Sequence, residues 1–259
     1  MSEPQRRVST RSLRKGALIA ETYAICRAWD RSMGYQENIE RVRHGNIVGA
    51  ANNAWMREVV ATFTQRFPDV ATIEPLVVLV QTGMTLDRWR SCLLYHLAER
   101  DALYYTYSVE WLFPTFAAGT AYLRTDDLMS FVRAQLEPMV AAGKLTDTGR
   151  VFVARDLLRM SGAFGLLTKG TPRQFQPYHL PDACLLYALH ALAERTATAL
   201  RIVEAPEWRL YLMTPADVEH TLLRLHQFQR LHYQAAGSIV ELKLPYASRL
   251  DYVENLAHG

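Results

Sequence analysis

Residues 125–178 read TDDLMSFVRAQLEPMVAAGKLTDTGRVFVARDLLRMSGAFGLLTKGTPRQFQPY, and the fold turns on this stretch. Thr125 followed by Asp126 and Asp127 is a helix start, because a hydroxyl can cap the first amides and carboxylates favour the positive end of the helix dipole. Leu128, Phe131, Val132, Leu136 and Met139 fall on one helical face, which predicts a helix running to Gly143. Thr146-Asp147 opens a second helix with Val151, Ala154, Leu157, Leu158 and Phe164 inward. The period then changes. Leu166-Leu167-Thr168 can extend, Lys169-Gly170-Thr171-Pro172 is turn chemistry, and Arg173–Tyr178 can return as a strand. Helix, helix and short hairpin is the outline of a winged helix-turn-helix.

Working outward toward the C-terminus, the same order of elements recurs without residue-level similarity. Pro181–Arg195 is helical, with Leu185, Leu186, Leu189 and Leu192 on its face. Thr214 followed by Pro215 is a cap with Pro at the first helical position, and Ala216–Gln227 carries Val218, Leu222 and Leu225 inward. Arg230–Gln234 alternates, Ala236-Gly237 turns, Ser238–Leu244 alternates again, and Ser248–Ala257 can close the chain as a helix.

Working outward toward the N-terminus, everything reads helical. The first nine residues look like a mobile tail. Helical stripes follow over Ala17–Arg31, Gln36–Arg43, Ala51–Phe67 and Leu86–Arg100, the last capped by Thr85, and Ile73–Gln81 is a compact apolar run. His96 lies on the apolar stripe of its helix with no ligand partner at i+4, which fits a buried histidine better than a metal ligand. Tyr104, Tyr105, Tyr107, Trp111 and Phe113 could stack nucleobases. Their helical spacing favours core, and Pro114 is expected to bend or end that element. The fold class is therefore mainly α. A helical part over 1–120 carries a basic arm, a winged-helix-like unit follows over 121–180, and a second helical or winged-helix-like unit occupies 181–259.

Composition excludes several classes. The 259 residues are 49% hydrophobic and 21% charged, normal for a folded globular chain and wrong for a disordered or collagen-like one. No secretory signal is visible at the start, and no apolar run is long enough to cross roughly 30 Å of hydrocarbon as a helix. Cys26, Cys92 and Cys184 are spaced for neither a disulfide framework nor zinc. The expectation is a cytoplasmic protein that is not in a membrane. No P-loop, GxSxG, HExxH or CxxC occurs, and His220, His226 and His232 recur every six residues, which suits no helix face. The pairs Asp126-Asp127 and Asp217/Glu219 sit in helix first turns, where capping explains them. No enzyme activity, catalytic residue, metal or cofactor is expected.

What remains is cationic surface on a chain of net charge +3. On the helix opened by Thr146, Arg155 and Arg159 lie at i, i+4 on the face opposite the apolar stripe, with Thr148 and Phe152 nearby. In a helix-turn-helix this second helix enters the major groove, and arginine forks suit phosphate and guanine. Lys144 precedes the helix, and Lys169 and Arg173 on the wing extend the same surface. Arg11, Arg14 and Lys15 belong to the densest basic run in the chain. Arg224, Arg230 and Lys243 are the second unit's candidates, weakened by Asp217 and Glu219 nearby. A solvated face with ion pairs to Asp147 or Asp156 is the plainer reading, and protein docking is the alternative for the second unit.

Several stretches resemble one family. RSLRKGALIAE (Arg11–Glu21), Ala28-Trp29-Asp30, WLFP (Trp111–Pro114), FGLL (Phe164–Leu167), YHLP (Tyr178–Pro181) and above all Glu207–Tyr246 (EWRLYLMTPADVEHTLLRLHQFQRLHYQAAGSIVELKLPY) resemble the BrxA family of the BREX (bacteriophage exclusion) phage-defence systems. The resemblance implies a mostly helical, non-enzymatic antiviral-defence protein that binds double-stranded DNA through helix-turn-helix elements. It also implies an N-terminal helical part similar to the NusB fold. Largely sequence-tolerant duplex binding is the expected function, with other BREX proteins as further partners. The alternative is a scaffold whose units dock those components.

Overall fold

The computed structural model describes residues 13–196, 198–236 and 239–256, so the basic tail with Arg11, and Gly237 of the expected turn, lie outside the described residues. The chain is mainly helical with one two-stranded antiparallel sheet. Five helices come first: α1 (Ile19–Ala28), α2 (Tyr35–His44), α3 (Asn53–Arg66), α4 (Val70–Gln81) and α5 (Leu86–Arg100). α1 packs on α4 and α5, and α2 packs on α3. α1 is shorter than the stripe over Ala17–Arg31 suggests. Leu18 sits in the left-handed region at φ 49° and Trp29 is extended, so neither flank can continue the helix.

Local caps place several of the starts. The Asn52 side chain accepts from the Trp55 amide at 2.9 Å, and Asp69 accepts from Thr72 at 2.9 Å. The apolar run over Ile73–Gln81 is thereby the body of α4. Thr85 occupies the N-cap of α5, but its side chain makes no capping bond.

α6 (Ala102–Thr106) runs without a break through a π-helical stretch, Tyr107–Leu112, into α7 (Phe113–Ala117). Pro114 therefore does not end the helix. It lacks an amide to donate, and the turn before it is widened instead. Tyr104 and Tyr107 are fully buried, as expected of core aromatics.

The deciding stretch forms a 3₁₀ turn, Asp126–Leu128, then α8 (Met129–Ala141) and α9 (Asp147–Ala163), which pack on each other. The Thr146 hydroxyl accepts from the Gly149 amide at 3.1 Å and fixes where α9 begins. The hairpin is slighter than expected. Leu167 bridges Phe175, and Leu123 bridges Arg173 on the other side, so three short segments lie side by side. Pro172 and Pro177 bracket the returning segment and offer no ladder amide, which keeps it short.

α10 (Asp182–Ala193), α11 (Ala199–Val203), a 3₁₀ segment (Pro206–Tyr211) and α12 (Pro215–Gln227) follow, then β1 (His232–Ala236), β2 (Ile239–Lys243) and α13 (Arg249–Asn255). β1 and β2 pair with His232 opposite Lys243 and Ala236 opposite Ile239. α10 packs on α5, and α13 packs on α10 and α4. Buried apolar residues from Leu13 to Val253 form one continuous core. His96 is buried in it against the Tyr187 hydroxyl. The three cysteines are free and buried. Cys92 on α5 and Cys184 on α10, far apart in sequence, are neighbours.

A largely buried carboxylate, Asp101, sits at the start of α6. Asp101 accepts from the Tyr104 amide at 2.9 Å. Burial pushes its pKa up to about 6 from 3.8, against the pull of that amide and of Arg66. Arg66 in turn donates to the Ala17 and Gly16 carbonyls at 3.0 and 2.6 Å. Because the folded pKa exceeds the unfolded one, Asp101 contributes stability below about pH 4. That contribution is lost as pH rises through about 6, a swing of roughly 3 kcal/mol. Asp101→Asn keeps the cap and removes the titration. Urea melts from pH 4 to 7 are expected to show the variant gaining on the native chain as pH rises, and a constant difference between the two would refute this.

Candidate nucleic-acid interface

α9 presents two faces. Val153, Ala154, Leu157, Leu158 and Ser161 are buried, whereas Thr148, Phe152, Arg155 and Arg159 are exposed along one stripe. The expected inward set was right in outline. Val151 is only half-buried, and the first inward position is taken by Arg150.

Arg150 was not expected to matter. It is 7% exposed and forms ion pairs with Asp147 at 2.8 Å and with Glu137 of α8. The guanidinium thus ties the two helices together at the turn between them. Its signal was present in the sequence, since position 150 falls on the same face as 154, 157 and 158 and has Asp147 at i−3.

The N-terminal segment lies on the exposed face of α9. Arg159 Nη2 donates to the Arg14 carbonyl at 2.9 Å, and the Arg14 guanidinium lies 5.8 Å from the centre of the Phe152 ring. Arg155 lies 5.6 Å from the same ring. Phe152 therefore spaces two guanidiniums that hold it by cation–π attraction. Gly16, at φ +75°, takes the sharp turn beneath Arg159. One carboxylate enters the cluster: Asp156 pairs with Arg159 at 2.9 Å. Partial burial raises the Asp156 pKa, while Arg159, Arg14 and Arg155 draw it down. Three cations around one carboxylate leave the patch positive.

The other expected residues divide. Lys15 turns away to Glu58 at 2.9 Å. Lys144 is exposed in the turn between α8 and α9, and Lys169 is exposed at the hairpin tip. Arg173 is drawn inward: Nη1 donates to the Thr168 carbonyl at 2.7 Å and presses on Gly162 of α9, so it fastens the hairpin to the helix. Burial lowers its pKa.

The sequence profile of the BrxA family matches residues 8–189, which takes in the N-terminal helices, α8, α9 and the hairpin. The chain belongs to the BrxA family. It is thus a component of a BREX phage-defence system. No curated protein matches it. The match includes RSLRKGALIAE, WLFP, FGLL and YHLP. It ends before Glu207–Tyr246, the stretch on which the resemblance leans most.

In the part beyond the family match the cations do not gather into one patch. Arg224 grips Asp182 with both guanidinium nitrogens, joining α12 to the start of α10. That bond, with His179 and Arg230 nearby, holds the Asp182 carboxyl below its ordinary range against partial burial. Lys243 pairs with Glu241 at 2.6 Å, and Arg230 is exposed beside a cavity of about 240 Å³ that includes Tyr246 and Tyr252. His226 and His232 meet edge to face at 5.2 Å, but no metal-holding group of three or more ligands occurs among the described residues. No helix among the described residues is long and apolar enough to cross a membrane.

Proposed function

We propose that the chain is a non-enzymatic double-stranded DNA-binding component of its BREX system, acting in the cytoplasm. α8 and α9 serve as the helix-turn-helix and the Leu167–Phe175 hairpin as its wing. The observation that carries this reading is the exposed stripe of α9, where Arg155, Arg159 and the incoming Arg14 form one positive patch around Phe152. Family membership supports it, as does the order helix, turn, helix, hairpin with Leu123 as a third short segment. The winged-helix label is part of the proposal. Arg155 and Arg159 contact the backbone or groove, Lys144 and Lys169 flank them, and Arg173 acts indirectly by holding the wing. The second unit takes a lesser part, because Arg224 and Lys243 already have carboxylate partners.

The test is a binding titration of the purified chain against unrelated duplexes of equal length, a single strand and an RNA duplex, each at two salt concentrations. Similar affinity for every DNA duplex, falling steeply with salt, is expected of backbone contacts. Absence of duplex binding at low salt would overturn the reading.

One set of observations favours a scaffold as the second reading. Phe152, Leu223 and Phe228 are large apolar side chains exposed by 40%, 46% and 68%. A salt-insensitive complex with another BREX protein, joined to no duplex binding, would favour it.

A further inference from the structure

A cavity of about 500 Å³ opens beside the hairpin, between it and α5, and Lys169 is the one residue of its lining that the duplex reading uses. Its cations come from two separate elements, Arg90 from α5 and Lys169 from the hairpin, and His179 adds an imidazole from the segment leading to α10. Arg90 has only a loose contact, 3.9 Å, with Asp87, whose carboxylate is 88% exposed. The side chains of Lys169 and His179 make no hydrogen bond or ion pair among the described residues. The wall behind them is polar and fixed. Ser91 Oγ and the Tyr178 hydroxyl are 2.8 Å apart, and the Tyr178 ring stacks on Tyr211 at 6.2 Å with 16° between planes.

The end of α9 is shaped to leave this space open. A Cβ at Gly165 would lie 3.3 Å from Arg90 Nη2, and one at Gly162 would lie 2.8 Å from Arg173 Nη1. Gly165 also holds φ +85°, which an L side chain resists. The bare backbone at Gly165 lets Arg90 lie against it beside the cavity, and that at Gly162 does the same for Arg173. FGLL supplies Gly165 and Leu167 to the lining and YHLP supplies Tyr178, His179 and Pro181, so two stretches singled out in sequence converge on one hollow.

A hollow of this volume admits a nucleotide. Arg90 and Lys169, against the one carboxylate of the lining, Asp87, favour an anion, and a guanidinium fork matches the paired oxygens of a phosphate. We propose that this cavity binds the phosphate of a nucleotide, gripped by Arg90 and flanked by Lys169 and His179. The phosphate comes either from a free nucleotide or from a strand passing the hairpin. The inference shares Lys169 with the duplex reading but is tested apart from it through Arg90, which lies on α5, outside the helix-turn-helix.

Calorimetric titration of the full chain at low ionic strength, with inorganic phosphate, AMP and a short duplex as probes, tests it. AMP affinity is expected to fall about tenfold in Arg90→Gln and Lys169→Gln, the loss of one charge-assisted contact. Arg90→Lys is expected to lose less, and Arg57→Gln, at an exposed position of α3 outside the lining, nothing. If the duplex and not AMP responds to Arg90→Gln, the phosphate belongs to the strand and the cavity assignment stands. The proposal fails if none of the three probes binds, or if folded Arg90→Gln binds all of them as the native chain does. Duplex affinity that depends on Arg155 and Arg159 but not on Arg90, with no AMP binding, would remove the cavity site and leave the duplex reading intact. AMP bound through Arg90 with no duplex bound would do the reverse.

Discussion

Replacing Arg155 and Arg159 together by alanine is expected to weaken duplex binding roughly fiftyfold at about 0.1 M salt and to lower the slope of log affinity against log salt by about 2. The size follows from counterion release. Each phosphate neutralised contributes close to 0.9 of the slope, so two lost contacts remove about 1.8 decades at 0.1 M salt. Both side chains are exposed, so their loss should change folding stability by less than about 1 kcal/mol. Arg159 has a second task, since it donates to the Arg14 carbonyl and holds the N-terminal segment on α9. Arg14→Ala separates the two effects: it removes one cation and leaves that main-chain bond in place. A slope reduced by about 1 in Arg14→Ala would place Arg14 in contact with phosphate. A folded double variant with unchanged affinity and slope would remove α9 from the interface.

Salt dependence also separates the two readings of the exposed face of α9. Cations that meet phosphate lose affinity steeply as salt rises. A docking surface centred on Phe152 buries apolar area, which salt hardly weakens. Phe152→Ala is informative for this reason. Under the duplex reading it frees the two guanidiniums that the ring spaces and has a modest effect on affinity. Under the scaffold reading it removes the anchor.

The helices were legible because their causes are local. Thr146 and Thr214 each sit next to the amides they cap, with Asp217 returning to the Thr214 amide at 2.8 Å, and the apolar stripes repeat within a few turns. The π-helical stretch was not legible, since the pattern around Tyr107 and Trp111 fits an α-helix as well. Leu123 offered no strand signal, because a single bridge to Arg173 needs only one residue in extended form. The candidate interface was half-legible. A helical wheel places Arg155 and Arg159 outward, but Arg14 and Arg159 are 145 positions apart and only the tertiary fold brings them together. Arg173 shows the opposite failure. Its position on the hairpin was readable, whereas its inward turn depends on Gly162 of α9 leaving room. Arg90 was not legible, because an arginine early in a helix, two positions after Arg88, forms no pattern until Lys169 and His179 are placed beside it.

The largest loss of stability is expected from Arg249→Ala, about 3–5 kcal/mol, the range for removing one partner of a buried ion pair. Arg249 begins α13 and reaches Glu99 of α5 at 3.0 Å, with both side chains largely buried at 17% and 15% exposure. Its guanidinium also lies 5.6 Å from the centre of the Tyr187 ring on α10, and its amide donates to Glu194 at 2.6 Å. Without the guanidinium, Glu99 keeps only Arg195 at 3.9 Å, and Arg195 is shared with Glu207. A buried carboxylate would then be under-compensated, and α13 would lose the tie that seats Tyr252 and Val253 in the core. The midpoint of urea unfolding reads the loss. Limited proteolysis is expected to cut the variant first around Pro245 to Arg249. The double change Glu99→Gln with Arg249→Met should recover much of the stability, because it removes the stranded charge and keeps the volume. Arg31 provides the contrast. It bonds Glu74 and Glu254 at 3.0 and 2.7 Å, but at 42% exposure, so Arg31→Ala is expected to cost less than about 1 kcal/mol. Equal effects from Arg249→Ala and Arg31→Ala would mean that burial does not set the strength of these pairs, and that α13 is held by its apolar contacts alone.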